Sequence, residues 1–89
     1  MVSEKIEIIN KLGLHARAAA KLVAVCAAYG SEINITKDSK PVDGKSIMSV
    51  MLLAAAKGSV LQFDISGSDE QQAWDAISTL VNNRFDEGE

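Results

Sequence analysis

The sequence predicts an α+β fold of two layers, in which a four-stranded antiparallel sheet carries three helices on one face. First, segments with apolar residues at every second position alternate with segments whose apolar residues recur every three or four positions. Second, the strand-like segments alternate apolar and polar residues, so one face of the sheet is buried and all helices cover it. Third, a split βαβ arrangement places the fourth strand between the first and second, giving the order 1-4-2-3 and an open-faced sandwich with elements βαββαβα.

The N-terminal third contains the first strand and the first helix. In "EKIEII", Ile6 and Ile8 share one face of a half-buried strand, and residues 10–14 form the loop that follows. The period then changes, which predicts a helix that begins at Ala16 and ends before Gly30, a typical C-terminal glycine. The buried stripe of this helix is predicted to contain Ala19, Leu22, Val23, Cys26 and Ala27.

The middle of the chain contains two strands joined by a tight turn. The segment "SEINITK" places Ile33 and Ile35 on one face of the second strand, and Asp38 and Ser39 supply the turn. The short segment "KPV" forms the third strand. Pro41 places it at a sheet edge, because proline cannot donate to a ladder.

The C-terminal half contains two helices and the fourth strand. Ser46 can cap a second helix over residues 47–56, which ends at Gly58. The fourth strand, "VLQFDIS", turns three residues inward: Leu61, Phe63 and Ile65. Ser68 and Gln71 have capping-box spacing for the third helix, whose stripe is predicted to be Ala73, Trp74, Ile77, Leu80 and Val81. The acidic tail "DEGE" is expected to fray.

Composition restricts the class of protein. The 89 residues indicate one domain, residues 1–89, and 47% apolar with 24% charged residues are typical of an ordered globule. The net charge of −3 argues against nucleic acid or an anionic membrane as a partner. The longest apolar stretch, residues 47–56, is shorter than the about 20 residues that a bilayer requires. With one cysteine, no visible secretory signal and no zinc-type ligand set, we expect a monomeric cytoplasmic protein without metal or cofactor.

The chemistry of the chain centres on its one histidine, in "NKLGLHARAAAKL". His15 falls at the N-cap or first position of the first helix, where the amides from Ala16 onward have no partner within the helix. These amides and the helix dipole attract an anion, and the dipole disfavours a second proton on the ring. A neutral imidazole is a nucleophile near pH 7, so a phosphoryl group on His15 would lie beside the amides and within reach of Arg17. The plainer alternative is a solvated cap residue beside a solvated arginine.

Two separated motifs resemble the HPr family, the histidine-containing phosphocarrier proteins of the phosphoenolpyruvate-dependent phosphotransferase system. The segment "GLHARAAAKL" is similar to the family's active-site pattern Gly-Leu-His-Ala-Arg-Pro-Ala, and Gly13 to Arg17 match it in order. The segment "KSIMSVMLLAAAKGS", residues 45–59, resembles the family's regulatory serine segment. The resemblance extends over essentially the whole chain, and the family's fold is the same open-faced sandwich.

The resemblance implies specific roles. His15 would take a phosphoryl group from enzyme I on Nδ1 and pass it to an enzyme IIA-type acceptor. Arg17 and the backbone of Ala16 and Arg17 would steady the group. Ser46 would correspond to the serine that a dedicated kinase, an HPr kinase/phosphorylase, modifies in some bacteria; the alternative is that Ser46 only caps its helix. The protein would be a substrate of larger phosphotransferases rather than an enzyme.

Ala18 departs from the family pattern, which commonly has proline at this position. Alanine keeps the helix and restores one amide hydrogen. The carrier role is therefore kept, but assignment to the sugar-transport branch is weakened. The opening "EIINKLGLHARA" and the tail "FDEGE" are more similar to proteobacterial members, including the nitrogen-related branch. Sugar uptake and nitrogen regulation both stay open as the process served.

The second helix is apolar almost all round, although a helix on an open-faced sandwich needs only one buried stripe. We assign Val50 and Leu53 to the core, and Ile47, Met48 and Met51 to an exposed patch. The alternative is that both methionines fill the core. By resemblance to the family, the patch lies next to His15 and docks both donor and acceptor, together with Arg17, Ala20, Lys21 and Lys45.

Three alternatives to a phosphocarrier follow from the sequence. The segment "DGKS", residues 43–46, is similar to the end of a P-loop, but Ser39 stands where that motif needs glycine, so nucleotide binding is rejected. A regulatory binding module of the same fold would act through unmodified or Ser46-phosphorylated contacts and would not need His15. A small stand-alone enzyme would use His15 as base or nucleophile, and would need an enclosed pocket with further polar groups.

Overall fold

Strands and helices follow each other in the predicted order in this computed structural model, which describes residues 1–87. The strands are β1 (Val2–Glu7), β2 (Glu32–Lys37), β3 (Lys40–Asp43) and β4 (Val60–Ser66). The helices are α1 (Ala16–Ala27), α2 (Ile47–Met51) and α3 (Glu70–Asn82), followed by a short 3-10 turn, Arg84–Asp86, called here the C-terminal turn. In this part of the chain, no helix combines the length and apolar character that crossing a membrane requires.

The strands form one antiparallel sheet in the order β1-β4-β2-β3, which confirms the predicted topology. Because β4 lies between β1 and β2, Ile65 of β4 is opposite both Val2 and Ile33. The inward residues of β4 are fully buried, as predicted: Leu61, Phe63 and Ile65. β3 is an edge strand, as Pro41 requires.

The core lies between the sheet and the helices, and most of the predicted stripes are buried. In α1, however, Ala27 is exposed and Ala18 is fully buried in its place. Positions 18, 22 and 26 form one row of the helix surface, so the stripe is centred on that row and Ala27 lies at its margin. In α3, Trp74 and Leu80 are half-buried at the edge of the core, and the Trp74 ring packs against Phe63 with centroids 5.7 Å apart.

The second helix is shorter than predicted, because α2 ends at Met51 rather than near residue 56. The Leu53 and Ala54 amides bond three residues back, to Val50 and Met51, so the last turn tightens. Ala54 then takes a positive φ of 49°, which turns the chain out of the helix. The Ala55 carbonyl accepts instead from the Leu14 amide, at 2.7 Å, and this tertiary bond replaces a helical one.

The third helix begins differently from the predicted capping box of Ser68 and Gln71. Its N-cap is Asp69, and the Glu70 carboxylate accepts from the Gly67 amide at 3.2 Å. The Asp69 carboxylate bonds instead to the loop after α1, where it accepts from the Gly30 and Ser31 amides at 2.9 and 3.0 Å. It also accepts from the Ser31 hydroxyl, and this bond is the main reason why the pKa of Asp69 is lowered.

The start of the acidic tail is held against the body of the protein instead of fraying. Phe85 in the C-terminal turn is fully buried, and its carbonyl accepts from Lys21 Nζ at 2.8 Å. Arg84, Phe85 and Asp86 all have positive φ, between 53° and 63°. Such backbone is strained for non-glycine residues, so the burial and the hydrogen bond hold the turn in place. Residues 88 and 89 of the tail lie outside the described residues.

Candidate functional site

The loop before α1 is held by close backbone contacts. Gly13 has a φ of +66°, and a Cβ added there would lie 2.6 Å from the Ala55 carbonyl oxygen, so glycine is required. The buried Asn10 side chain donates from Nδ2 to the Gly13 carbonyl at 2.7 Å. The bond from the Leu14 amide to Ala55 holds the next residue. The chain therefore enters α1 at a defined position.

His15 is the N-cap of α1, one of the two positions that the sequence allowed. Its backbone is extended, with φ −73° and ψ 177°, and its side chain makes no hydrogen bond to the first turn. Its carbonyl accepts from the Ala19 amide at 2.8 Å, so the helix starts directly after it. The amides of Ala16 and Arg17 belong to the first turn and have no acceptor within the helix. The ring and these amides are thus neighbours at one helix end.

The imidazole of His15 is half-buried rather than bare, with 28% of its side chain exposed. Its Nε2 is paired with Glu87 Oε2, a contact between residues 72 positions apart. Its Nδ1 has no hydrogen-bond partner within residues 1–87. The two ring nitrogens therefore differ: Nε2 faces a carboxylate, whereas Nδ1 has no hydrogen-bond partner in the described residues.

Each carboxylate oxygen of Glu87 contacts the side chain of a residue near the start of α1. Oε1 accepts from Asn10 Nδ2 at 2.9 Å, while Oε2 faces the His15 ring. The hydrogen bond from Asn10 is the largest cause that lowers the pKa of Glu87; burial opposes it, and the bond to His15 and the charge of Lys21 add to the lowering. Glu87 is therefore an ionised acceptor at neutral pH.

One open cleft, called here the histidine cleft, collects the predicted phosphoryl-binding groups. His15, Ala16 and Arg17 line it from the start of α1, and the C-terminal turn closes the other side. Its walls also carry Lys11, Leu12, Lys21, Asp86 and Glu87. The Arg17 guanidinium forms no hydrogen bond or ion pair inside the described chain. The cleft thus offers cationic and amide donors to an anion while staying open to solvent.

Ser46 lies at the N-cap of α2, as predicted, and its Oγ accepts from the Ser49 amide at 3.3 Å. Lys45, predicted at the rim of a docking surface, is half-buried beside Ser46. Its Nζ donates to the Tyr29 carbonyl at 2.7 Å, just beyond the C-terminal end of α1. A cation is stabilised at that end of a helix dipole, so Lys45 ties α2 to α1.

An apolar surface covers the outside of α2 and the residue after it. Val50 and Leu53 are buried, as predicted, whereas Met48 is 74% exposed. Leu52, for which the sequence makes no prediction, is 80% exposed and extends this surface. We call it the apolar patch: Ile47, Met48, Met51 and Leu52. Ala20 is exposed on α1, and the exposed Leu12 adds an apolar residue at the histidine cleft.

Two members of the site were missed in the sequence, Asn10 and Glu87. Asn10 has a weak signal, since a polar residue at the end of an apolar strand often bonds to its own loop. Glu87 has none, because its acidic tail is typical of frayed chain ends. Ala18, at the position where the family has proline, is fully buried and packs in the core.

A single histidine in an open, cationic cleft, on a domain that also exposes an apolar patch, defines a class of protein. Such a site suits a small domain that receives and gives up an anionic group while docked on a partner. A family model described as "PTS HPr component phosphorylation site" matches residues 2–83. The chain belongs to the HPr family, and it is a phosphocarrier of the phosphotransferase system rather than a catalytic enzyme.

Proteobacterial relatives match along the whole chain. The phosphocarrier protein HPr of Pseudomonas aeruginosa is 52% identical over 90 residues, and that of Neisseria meningitidis serogroup B is 49% identical over 89 residues. Both matches cover 100% of each chain. The crystal structure of HPr-C-His from Thermoanaerobacter tengcongensis has a TM-score of 0.95 at 41% identity and covers 98% of both chains. The family resemblance and the fold class predicted from the sequence are confirmed.

Proposed function

We propose that His15 carries the phosphoryl group on Nδ1, receiving it from enzyme I and passing it to an enzyme IIA-type acceptor. One observation carries the proposal. The ring, the start of α1 and the Arg17 side chain line the same open cleft, and Nδ1 has no other partner within residues 1–87. A nucleophile and groups that stabilise an anion are therefore side by side.

The transfer needs positioning and charge stabilisation more than further chemistry. The Nδ1 lone pair attacks phosphorus, the donor's bond to phosphorus breaks, and the donor leaves with that electron pair. The first-turn amides contribute about 0.3–1 kcal/mol to an exposed anion. A guanidinium at about 4 Å adds at most about 4 kcal/mol at surface-like dielectric, before water competes. These contacts orient the group without trapping it, as a reversible carrier requires.

Partner docking is proposed at the apolar patch, together with Ala20 and Lys21. Two methionines support it, since flexible thioether side chains adapt to partners of different shape. Lys21 lines the histidine cleft, and its Nζ donates to the Phe85 carbonyl at 2.8 Å. Lys45 supports docking indirectly, because its bond to Tyr29 fixes α2 relative to α1.

Ser46 is proposed as a regulatory site for a kinase of the HPr kinase/phosphorylase type. Its hydroxyl is half-buried at the N-cap and adjoins Ile47 in the apolar patch. A phosphate there suits the helix end but adds about −1.5 to −2 charge at the docking surface. We expect Ser46→Asp to raise the KM for enzyme I, and Ser46→Ala to leave it unchanged.

We infer that residues 1–89 act as a single, monomeric domain in the cytoplasm. Full-length coverage of the relatives supports one domain. The net charge of −3 supports protein partners rather than nucleic acid.

Incubation with labelled phosphoenolpyruvate and a catalytic amount of enzyme I tests the carrier role. We expect one acid-labile phosphate per chain, none on His15→Ala, and normal labelling of Lys57→Ala, whose exposed lysine does not line the histidine cleft. Since the chain has one histidine, any phosphohistidine is His15. An unlabelled wild-type protein, or label retained by His15→Ala, would contradict the proposal.

A further inference from the structure

The C-terminal turn delivers a carboxylate to the back of the His15 ring. Glu87 lies beyond residues 2–83, the span of the family match, so the match itself assigns it no part. Its Oε2 faces Nε2 of His15, and its Oε1 accepts from Asn10 Nδ2 at 2.9 Å. The same Asn10 nitrogen donates to the Gly13 carbonyl. The Asn10 side chain thus connects the loop before His15 to Glu87, the residue that contacts Nε2 of the ring.

The backbone and contacts of the C-terminal turn determine where the Glu87 carboxylate lies. Three consecutive non-glycine residues of the C-terminal turn, Arg84–Asp86, adopt left-handed backbone conformations. Phe85 is fully buried, and Lys21 of α1 holds its carbonyl. Strained backbone persists only where surrounding contacts hold it, and here it aims the next residue at the imidazole.

The contact determines which nitrogen carries the proton. An ionised carboxylate only accepts hydrogen bonds, so the nitrogen that faces it must be a donor. With the proton on Nε2, the neutral ring has its lone pair on Nδ1, the nitrogen without a partner in the described chain. Glu87 therefore favours the tautomer in which the available nitrogen is the nucleophile.

We propose that Glu87 is a positioning residue that keeps the proton on Nε2 of His15 and balances the charge of the phosphorylated ring. The proposal rests on the proposed role of His15. When the Nδ1 lone pair forms the N–P bond and the donor departs with its electron pair, the ring gains one positive charge. When the acceptor attacks, the N–P bond breaks and its electron pair returns to Nδ1. Nε2 keeps its proton in both directions, bonded to Glu87, so the ring exchanges no proton during transfer.

Glu87→Gln is the informative variant, because an amide has one acceptor oxygen. Asn10 Nδ2 and His15 Nε2 both donate to residue 87, and glutamine can accept at its oxygen only, so one of the two bonds is lost in either orientation. Asp86→Asn is the matched control. It makes the same change of charge on the adjacent residue of the same cleft, has no bond to the ring, and asparagine tolerates left-handed backbone.

Two measurements test the proposal: 15N NMR of the unphosphorylated, neutral ring, and kinetics with phosphorylated enzyme I. We expect the wild-type ring to carry its proton on Nε2, and Glu87→Gln to lower that population. Glu87→Gln should reduce kcat for phosphorylation by about tenfold with little change in KM, while one phosphate per chain is still reached. Asp86→Asn should keep the wild-type tautomer and retain a higher kcat than Glu87→Gln.

Three results would overturn the proposal. The first is a wild-type ring protonated on Nδ1, which can be read without any variant. The second is Glu87→Gln with wild-type tautomer and rate, and the third is an equal loss of rate in Asp86→Asn, which would indicate cleft charge alone. Failure of the carrier role itself looks different, since no phosphate would then reach His15 in any protein tested.

Discussion

Replacing Gly13 with alanine tests how tightly the loop before His15 is held. Alanine at a φ of +66° adopts a left-handed backbone, which costs about 1–2 kcal/mol. Its Cβ would lie 2.6 Å from the Ala55 oxygen and 2.8 Å from Ala56 Cα, so backbone must shift. A shift of this kind costs about 1–3 kcal/mol more. The free energy of unfolding should therefore fall by about 2–5 kcal/mol in total.

Gly58→Ala is the control for this prediction. Gly58 also has a positive φ, +93°, but a Cβ added there meets nothing within 4 Å. Urea unfolding of both variants separates the two costs, because only Gly13→Ala carries the steric one. Each kcal/mol lowers Tm by about 4–8 °C for a chain of this size, so thermal unfolding gives a second measurement. If Gly13→Ala is destabilised no more than Gly58→Ala, the close approach to residues 55 and 56 is not a constraint and the reasoning is refuted.

Three further predictions concern groups away from the ring. The pKa of Asp69 is lowered in the folded protein, so Asp69 stabilises the fold above the ordinary carboxyl pKa, and this stabilisation is lost as pH falls below about 4. In urea unfolding at a series of pH values, Asp69→Asn should weaken the loss of stability at low pH, and an unchanged loss would count against the prediction. Burial raises the pKa of Cys26 to about 12, so in the native protein at pH 8 Cys26 should react slowly with a thiol reagent that modifies it rapidly in urea. Rapid modification of Cys26 in the native protein would show that the thiol is not buried. Met48→Ala should change the free energy of unfolding by less than about 0.5 kcal/mol while raising the KM for enzyme I, whereas Val50→Ala, at a buried position, should lower the free energy of unfolding by about 2 kcal/mol. A larger loss of stability in Met48→Ala than in Val50→Ala would indicate that Met48 packs in the core.

The arrangement of strands and helices was predictable because it depends on the period of apolar residues. Ile33 and Ile35 are two positions apart and face the same side, and Leu22 and Cys26 are four apart on one helix face. Burial of one sheet face then leaves few ways to connect the elements. His15 was predictable as a helix-start residue for the same reason, since the change of period just after it marks where the helix begins.

The limits of elements were less predictable, because they depend on competition between local and distant bonds. The apolar run after Ser46 is compatible with helix up to residue 56, yet α2 ends at Met51. The Ala55 carbonyl bonds to Leu14, 41 positions earlier in the chain (55 − 14), and helix propensity contains no term for that partner. The N-cap of α3 differs for a similar reason, since Asp69 serves the loop at Gly30 and Ser31.

The amino-acid sequence alone determined the order of the elements, most of each buried stripe, the start of α1 just after His15 and the resemblance to phosphocarriers, because these depend on local patterns of residues, and the sheet order followed from the few ways of connecting those elements. Only the folded structure shows that the Glu87 carboxylate contacts Nε2 of the His15 ring. Glu87 and His15 are 72 positions apart, and only burial of Phe85 and the left-handed turn around it bring them together. Periodicity records which side of an element faces the core, whereas the meeting of two distant side chains depends on how whole elements pack.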